Sequence, residues 1–379
     1  MKNVLITNAV PSNNGDAALV FSLYDSLKRK GFNVSIACQH YRLVKAIYEN
    51  DYPIVSELAE GKLIKKVPYN KYLKPFLVPF LFLFNKSFRK ADLVVSAPGG
   101  YMNSYYGFDK VLATLFIAKL FGKKTAIYAQ SFGPLNYRDS KRLLFLSKYV
   151  DILMARDVFS TDVLRSIKIP SEKFKLVEDG AFLIPYKSVR SKEKKVAVSV
   201  RSWKHDGRDE NHYVFMIKSF VEYLVSNGYS VEFLSTCQGL KEYRDDSLVA
   251  QEIFNQLEPS TKNSVVVNKN FYKLNDFLEY LSNFKLVIGT RLHMCITSML
   301  RGIPSLNISY EVKGREVYNY LGLEDYTIDY NADVDTGMEA LVKFIKDQEL
   351  IADKLAILMP EQNRKANVFF EAFLRDLKV

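Results

Sequence analysis

The sequence predicts an α/β protein made of two doubly wound, Rossmann-like domains facing a cleft, and three observations predict it. Short apolar, strand-like runs alternate with helical stretches along the whole chain, the pattern of parallel sheets covered on both faces. The 379 residues exceed the roughly 250–300 that one hydrophobic core usually serves, so two domains are expected. The alternation pauses once, at YKSVRSKEKK (residues 186–195), a charged stretch that reads as a linker.

The elements follow in order. In a first domain spanning 1–187, strands are expected at Val4–Thr7, Val34–Ala37, Leu93–Ser96, Ala126–Ala129 and Ile152–Ala155, with a helix from Ala17 to Lys30 closed by Gly31. A second domain, 188–360, repeats the scheme with strands at Val196–Val200, Ser230–Ser235, Ser264–Val267, Leu286–Gly289 and Leu306–Ile308. Residues 361–379 are expected to form a helix, about Gln362–Leu377, that packs back toward the first domain.

Composition narrows the functional classes. The three cysteines, Cys38, Cys237 and Cys295, are odd in number and far apart, which argues against a disulfide framework or a zinc site and for core thiols in a reducing compartment. The first sixteen residues lack a signal-peptide layout, so a cytoplasmic protein is expected. The net charge of +11 calls for an acidic partner, yet no nucleic-acid-binding module is legible. Lys62 to Lys90 holds eight Lys or Arg and no Asp or Glu around PFLVPFLFLF (75–84). That run is too short for the about 20 residues a membrane span needs. Peripheral contact with an anionic membrane through residues 62–90 is one reading, and a core helix or homo-oligomer contact with a basic rim is the other.

Ligands of doubly wound sheets gather at the C-terminal strand ends, and that is where the polar residues lie. In LVIGTRLHMCITSMLRG (286–302) a strand gives way to a helix that Thr290 is expected to cap, placing Arg291 and His293 in its first turn. Free backbone amides and the helix dipole favour an anion there and disfavour a protonated imidazole, and Arg291 adds a planar cationic fork. Arg201 directly follows the strand VAVSV, so both guanidinium groups reach one crevice if their strands are neighbours. Lys313, in SYEVKG, completes a site for a small, multiply charged anion. The first domain offers NNGDAAL (13–19) with Asn14, Gly15 and Asp16, SAPGGYM (96–102) with Gly99 and Gly100, AQSFGP (129–134) with Gln130, ARDVFS (155–160), and EDGAF (178–182) with Asp179. Asp16 alone reads as a helix N-cap. Each element alone is only what turns require, but five of them share one sheet edge.

This ordered set, NNGDAAL, APGGYM, QSFGP, ARDVFS, EDGAF, VSVRSW, GTRLHM and ISYEVKG, resembles the polysaccharide pyruvyl transferases from about residue 4 to about residue 325. The resemblance implies a two-domain fold like GT-B glycosyltransferases and transfer of the pyruvyl group of phosphoenolpyruvate onto two sugar hydroxyls, forming a cyclic ketal and releasing phosphate. It implies that Arg201, Arg291, Leu292 and Lys313 bind phosphoenolpyruvate and that His293 is the acid/base, with Arg201 and Arg291 assisting catalysis. It puts Asn14, Gly15, Asp16, Gly99, Gly100, Gln130 and Asp179 on a sugar acceptor that is polymeric or polyprenyl-diphosphate-linked. No cofactor and no metal are expected. The chain departs from the pattern in reading APGG where relatives carry three glycines and in placing Ala17-Ala18 after NNGD. Two other functions fit the same fold: a glycosyltransferase using a nucleotide sugar, for which only Glu311 and Glu316 are placed to hold a ribose, and a non-catalytic, membrane-docked scaffold of polysaccharide assembly.

Overall fold

The structure, a computed structural model, describes residues 1–58, 85–106, 109–189, 191–203, 207–241 and 243–378. The apolar stretch 75–84, and most of the 62–90 segment read as a membrane or oligomer contact, lie outside them. From Asn85 on, that segment is a short helix, Lys86–Lys90, capped by the Asn85 side chain and anchored by the buried Phe88. Among the described residues no helix is long and apolar enough to cross a membrane.

Two compact units are present. The first comprises residues 1–12, 16–183 and 364–379, and the second residues 13–15 and 184–363. Asn14 and Gly15 therefore belong to the second unit although they follow the first strand of the chain.

The first unit carries β1 (Asn3–Ala9), β2 (Asn33–Cys38), β3 (Ile54–Ser56), β4 (Leu93–Ser96), β5 (Gly99–Met102), β6 (Lys124–Phe132), β7 (Ile152–Ala155) and β8 (Phe174–Leu176). Their order is β3-β2-β1-β4-β6-β7-β8, with β5 added beside β6, and the pairings are parallel. Strands buried on both faces explain why β4 and β7 read as unbroken apolar runs. Residues 364–379 belong to this unit, and Phe370 and Phe373 pack on Tyr128 of β6 with ring centroids 6.0 and 4.8 Å away.

The second unit carries β9 (Lys195–Ser199), β10 (Ser230–Phe233), β11 (Val265–Val267), β12 (Leu286–Gly289), β13 (Ser305–Ser309) and β14 (Thr327–Asp329). The order β11-β10-β9-β12-β13-β14 is the doubly wound one, in which the chain moves outward from β9 and then returns to the other side at β12. The switch point thus falls between β9 and β12, the two strands that deliver Arg201 and Arg291.

Four local expectations need correction. Gly99 and Gly100 form part of a strand, β5, where the residues alone read as what turns require, because Gly99 pairs with Gln130 and Met102 with Phe132 of β6. The first helix starts at Asn14, so Asp16 lies inside its first turn and is no N-cap. Thr290 does not cap the helix Leu292–Met299. Its hydroxyl is 2.7 Å from that of Tyr213, and Arg291 occupies the cap position with extended backbone, leaving only His293 in the first turn. The last helix runs from Gln348 to Asp376, much longer than the 362–377 expected, with Pro360 inside it. A proline removes one backbone donor, and a helix bonded on both sides of it withstands that loss.

Candidate donor and acceptor site

The second unit's switch point is built from backbone upward. Gly289 of β12 pairs with Ser199 of β9, and the Thr290 amide donates to the Ser199 carbonyl at 2.9 Å, so the chain leaves both strands side by side. Two stacked phenols then fix the next residue. Tyr213 and Tyr330 lie ring on ring, centroids 4.1 Å apart. The Arg201 amide donates to the Tyr213 hydroxyl at 3.3 Å, and the Tyr330 hydroxyl donates to the Arg201 carbonyl at 3.3 Å. Arg201 is therefore held at both its backbone groups, independently of what its side chain does.

That side chain is only 6% exposed. Its guanidinium carbon lies 4.6 Å from the Trp203 ring centre and 4.4 Å from that of Tyr310, and Nη1 donates to the Tyr310 hydroxyl. Two aromatic faces stabilise a desolvated cation by about 2 kcal/mol or more. Nε, however, is buried without a hydrogen-bond partner. A charged donor left unmet in a dry site is costly unless something binds there.

Arg291 is engaged differently. Its Nε and Nη2 donate to the two oxygens of Asp246 at 2.8 and 2.7 Å, a bidentate pair with the carboxylate buried. Burial opposes the charge on Arg291, but the Asp246 carboxylate outweighs it and keeps the guanidinium firmly protonated. Nη1 takes no part in that pair. Lys313 is ion-paired with Glu311, one of the two carboxylates placed to hold a nucleotide ribose.

Tyr310 links these groups. Its hydroxyl is pushed above the usual phenol range by burial first, while the charges of Arg201, Lys313 and Arg291 pull it down and Glu311 pushes it up. The three cations singled out from sequence thus act on one phenol. Leu292 is buried at the start of the helix Leu292–Met299.

His293 meets the first-strand loop in this same unit. A Cβ placed on Gly15 would sit 3.1 Å from the His293 Cβ and 3.2 Å from its Nδ1, so glycine is what lets the imidazole approach. The Asn14 amide donates to the Thr236 carbonyl at 2.7 Å, and the Asn13 amide group reaches the Tyr243 hydroxyl at 3.4 Å. Asn14 is buried, and its Oδ1 has no hydrogen-bond partner.

In the first unit the acceptor candidates separate. Gln130 is fully buried, its amide bonded to the Ser131 carbonyl at 3.1 Å and its Oε1 unpartnered. Ala129 beside it has φ 44, a left-handed backbone that a side chain adopts only under constraint. Gly99 is required because the Tyr101 ring lies 2.7 Å from where its Cβ would stand, and Gly100 accepts from Asn103 at 3.0 Å. Asp16 is partly exposed and raises the Tyr101 phenol, behind burial as the main cause. Asp179, expected on the acceptor, is held within the first unit by its own partners. Its carboxylate receives Arg156 at 2.7 Å and the Ala181 amide at 2.9 Å, with both charged side chains almost fully buried. Among the described residues no group of three or more His, Cys, Asp or Glu side chains is placed to hold a metal ion.

Asp246, Trp203, Tyr310 and Arg156 were not assigned from sequence. Trp203 and Tyr310 lie within the motifs VSVRSW and ISYEVKG, where aromatic neighbours of a strand-end arginine were the available signal. Asp246 had none, lying 45 residues from its partner in a loop without pattern.

The two sheets define a GT-B-type fold, as comparison with solved structures shows. The chain is similar to the UDP-GlcNAc 2-epimerase of Neisseria meningitidis bound to UDP-GlcNAc, with TM-score 0.62 at 12% identity over 99% of this chain and 100% of that one. It is also similar to the UDP-GlcNAc 2-epimerase of Methanocaldococcus jannaschii, with TM-score 0.59 at 13% identity over 91% and 92%. At such identities the likeness is one of fold. By sequence the chain belongs to the polysaccharide pyruvyl transferase family, matching it over residues 13–312. It is 26% identical to the amylovoran biosynthesis protein AmsJ of Erwinia amylovora, over 96% of each chain.

Proposed function

We propose that this transferase moves the pyruvyl group of phosphoenolpyruvate onto two hydroxyls of one sugar, in a polysaccharide or its lipid-linked precursor, closing a cyclic ketal and releasing phosphate. The observation that carries the reading is Arg201, a buried cation between two aromatic rings with an unmet Nε, leaving β9 beside the strand that delivers Arg291. Phosphoenolpyruvate is small and carries both a phosphate and a carboxylate, which suits two guanidinium groups and a lysine better than a neutral sugar does.

The chemistry balances as follows. The methylene carbon takes a proton, which a neutral His293 relays from a sugar hydroxyl, and the central carbon becomes electrophilic. One sugar hydroxyl oxygen bonds to that carbon and gives up its proton. The bond to the phosphate oxygen breaks, the phosphate leaving with the electron pair, and the second hydroxyl oxygen adds and loses its proton. The two hydroxyl protons match the one gained by carbon and the one carried off by phosphate. Fixed cations at the departing phosphate stabilise the charge that develops there, as preorganised donors do, an effect of about 3–4 kcal/mol for one oxyanion-hole donor.

The test is to offer phosphoenolpyruvate with free and lipid-linked glycans and follow phosphate release together with a mass gain on the glycan. The proposal expects both, and expects His293→Ala to lose about 100-fold to 10,000-fold in turnover while still binding phosphoenolpyruvate. Nucleoside diphosphate released from a sugar nucleotide, with phosphoenolpyruvate inert, would overturn it.

A further inference from the structure

Asp246 is the N-terminal cap residue of the helix Ser247–Gln256, yet its side chain makes no capping bond. An aspartate at that position ordinarily accepts from the helix amides and stabilises the helix by doing so. Here both oxygens turn away to Arg291, and Oδ2 also receives the Ser235 hydroxyl at 2.6 Å. Ser235 is in turn held by the Ser199 hydroxyl at 3.2 Å, and its amide donates to Gln238 at 2.7 Å. The carboxylate is 3% exposed, and its own amide donates to the Cys237 carbonyl at 2.8 Å. Side chains at the end of β9 and beyond the end of β10 therefore converge on one buried acid whose cationic partner is Arg291.

We infer that Asp246 is the positioning residue of the donor site: it locks the plane of the Arg291 guanidinium through a bidentate bond and leaves Nη1 as the edge that meets the anion. Resting on the phosphoenolpyruvate reading, the inference adds a residue that no motif of the chain contains. An arginine on a flexible stem loses rotational freedom when it grips a ligand, whereas one already clamped does not, so the clamp raises affinity without touching the ligand.

The chain has one tryptophan, Trp203, stacked on Arg201, so its fluorescence reports occupancy of the donor site directly. Phosphoenolpyruvate is titrated into the unsubstituted protein, Asp246→Asn, Arg291→Met and the double variant. Asp246→Asn is expected to raise the dissociation constant about tenfold or more, as misplacement of a gripping group does. The double variant is expected to match Arg291→Met within about twofold, because coupled residues are non-additive when one acts through the other. A purely structural Asp246 would instead add its full effect in the Arg291→Met background, and that result overturns the inference. So does a dissociation constant unchanged by Asp246→Asn in a protein whose wild type responds. Should Asp246→Asn fail to fold, Ser235→Ala withdraws a single hydrogen bond from Oδ2 and carries the same test. It is expected to weaken binding roughly threefold in the wild-type background and not in Arg291→Met, and no weakening overturns the inference. A wild type that gives no response and releases no phosphate overturns the donor reading, and this inference with it.

Discussion

Arg156 directly follows β7 and Arg201 stands two residues beyond the end of β9, each is almost fully buried, and they differ in what their side chains meet. Arg156 is complete: Nη1 reaches Asp179 at 2.7 Å and Nε reaches the Ser131 hydroxyl at 2.7 Å, and Ser131 is itself tied to Asp157 at 2.6 Å. Arg201 is incomplete, with aromatic faces in place of a carboxylate and Nε unmet. Burial alone therefore does not mark a binding residue. Arg156 has its counter-charge from the protein, whereas Arg201 has none among the described residues, and it is this unmet charge that the proposed reading assigns to a ligand. Arg291 stands between them, clamped by Asp246 on one edge.

Crossed substitutions break this comparison most sharply. Arg156→Met leaves Asp179 buried without its partner and should lower the free energy of unfolding by about 3–5 kcal/mol, measured by urea denaturation. Arg201→Met removes a charge that has no internal counter-ion, so urea stability should hold or rise while kcat/KM for phosphoenolpyruvate falls about 100-fold to 1,000-fold. Equal destabilisation by the two would show that Arg201 is scaffold too. A smaller effect is expected of Gly15→Ala, whose methyl must displace His293: turnover should drop about tenfold, a fraction of what full misplacement of a catalytic group brings, with phosphoenolpyruvate binding retained. Binding lost in that variant would place Gly15 in the donor site instead. The least effect belongs to Lys313→Met. The lysine is a quarter exposed and paired with Glu311, so KM for phosphoenolpyruvate should rise only about threefold, and the rise should shrink at high salt.

The placement of Arg201 and Arg291 at neighbouring strand ends was legible because strand periodicity and the rule of strand ends act together. VAVSV and LVIG are short apolar runs, each closed by an arginine within two residues, and adjacency of β9 and β12 follows from the winding of such sheets. The strands β3, β8 and β14 were not legible: each has three residues, too few to show a period. Gly99-Gly100 read as a turn because glycine lacks strand propensity, while pairing with β6 decided otherwise. Asp179 reads from sequence as an acceptor contact, and its ion pair with Arg156, 23 residues upstream, is a tertiary contact that no local pattern shows. Asp246 shows the same limit in reverse. Tertiary folding alone brings it to Arg291, and no local pattern announces a side chain that declines to cap its own helix.

The central claim is that the cations at the β9 and β12 ends form a site for phosphoenolpyruvate, and calorimetric titration of the wild-type protein beside Arg201→Met measures it most directly. Saturable, one-to-one binding to the wild type, weakened about 100-fold or more in the variant, is the predicted result. No heat with phosphoenolpyruvate, together with tight binding of a nucleoside diphosphate sugar that survives Arg201→Met, would contradict it.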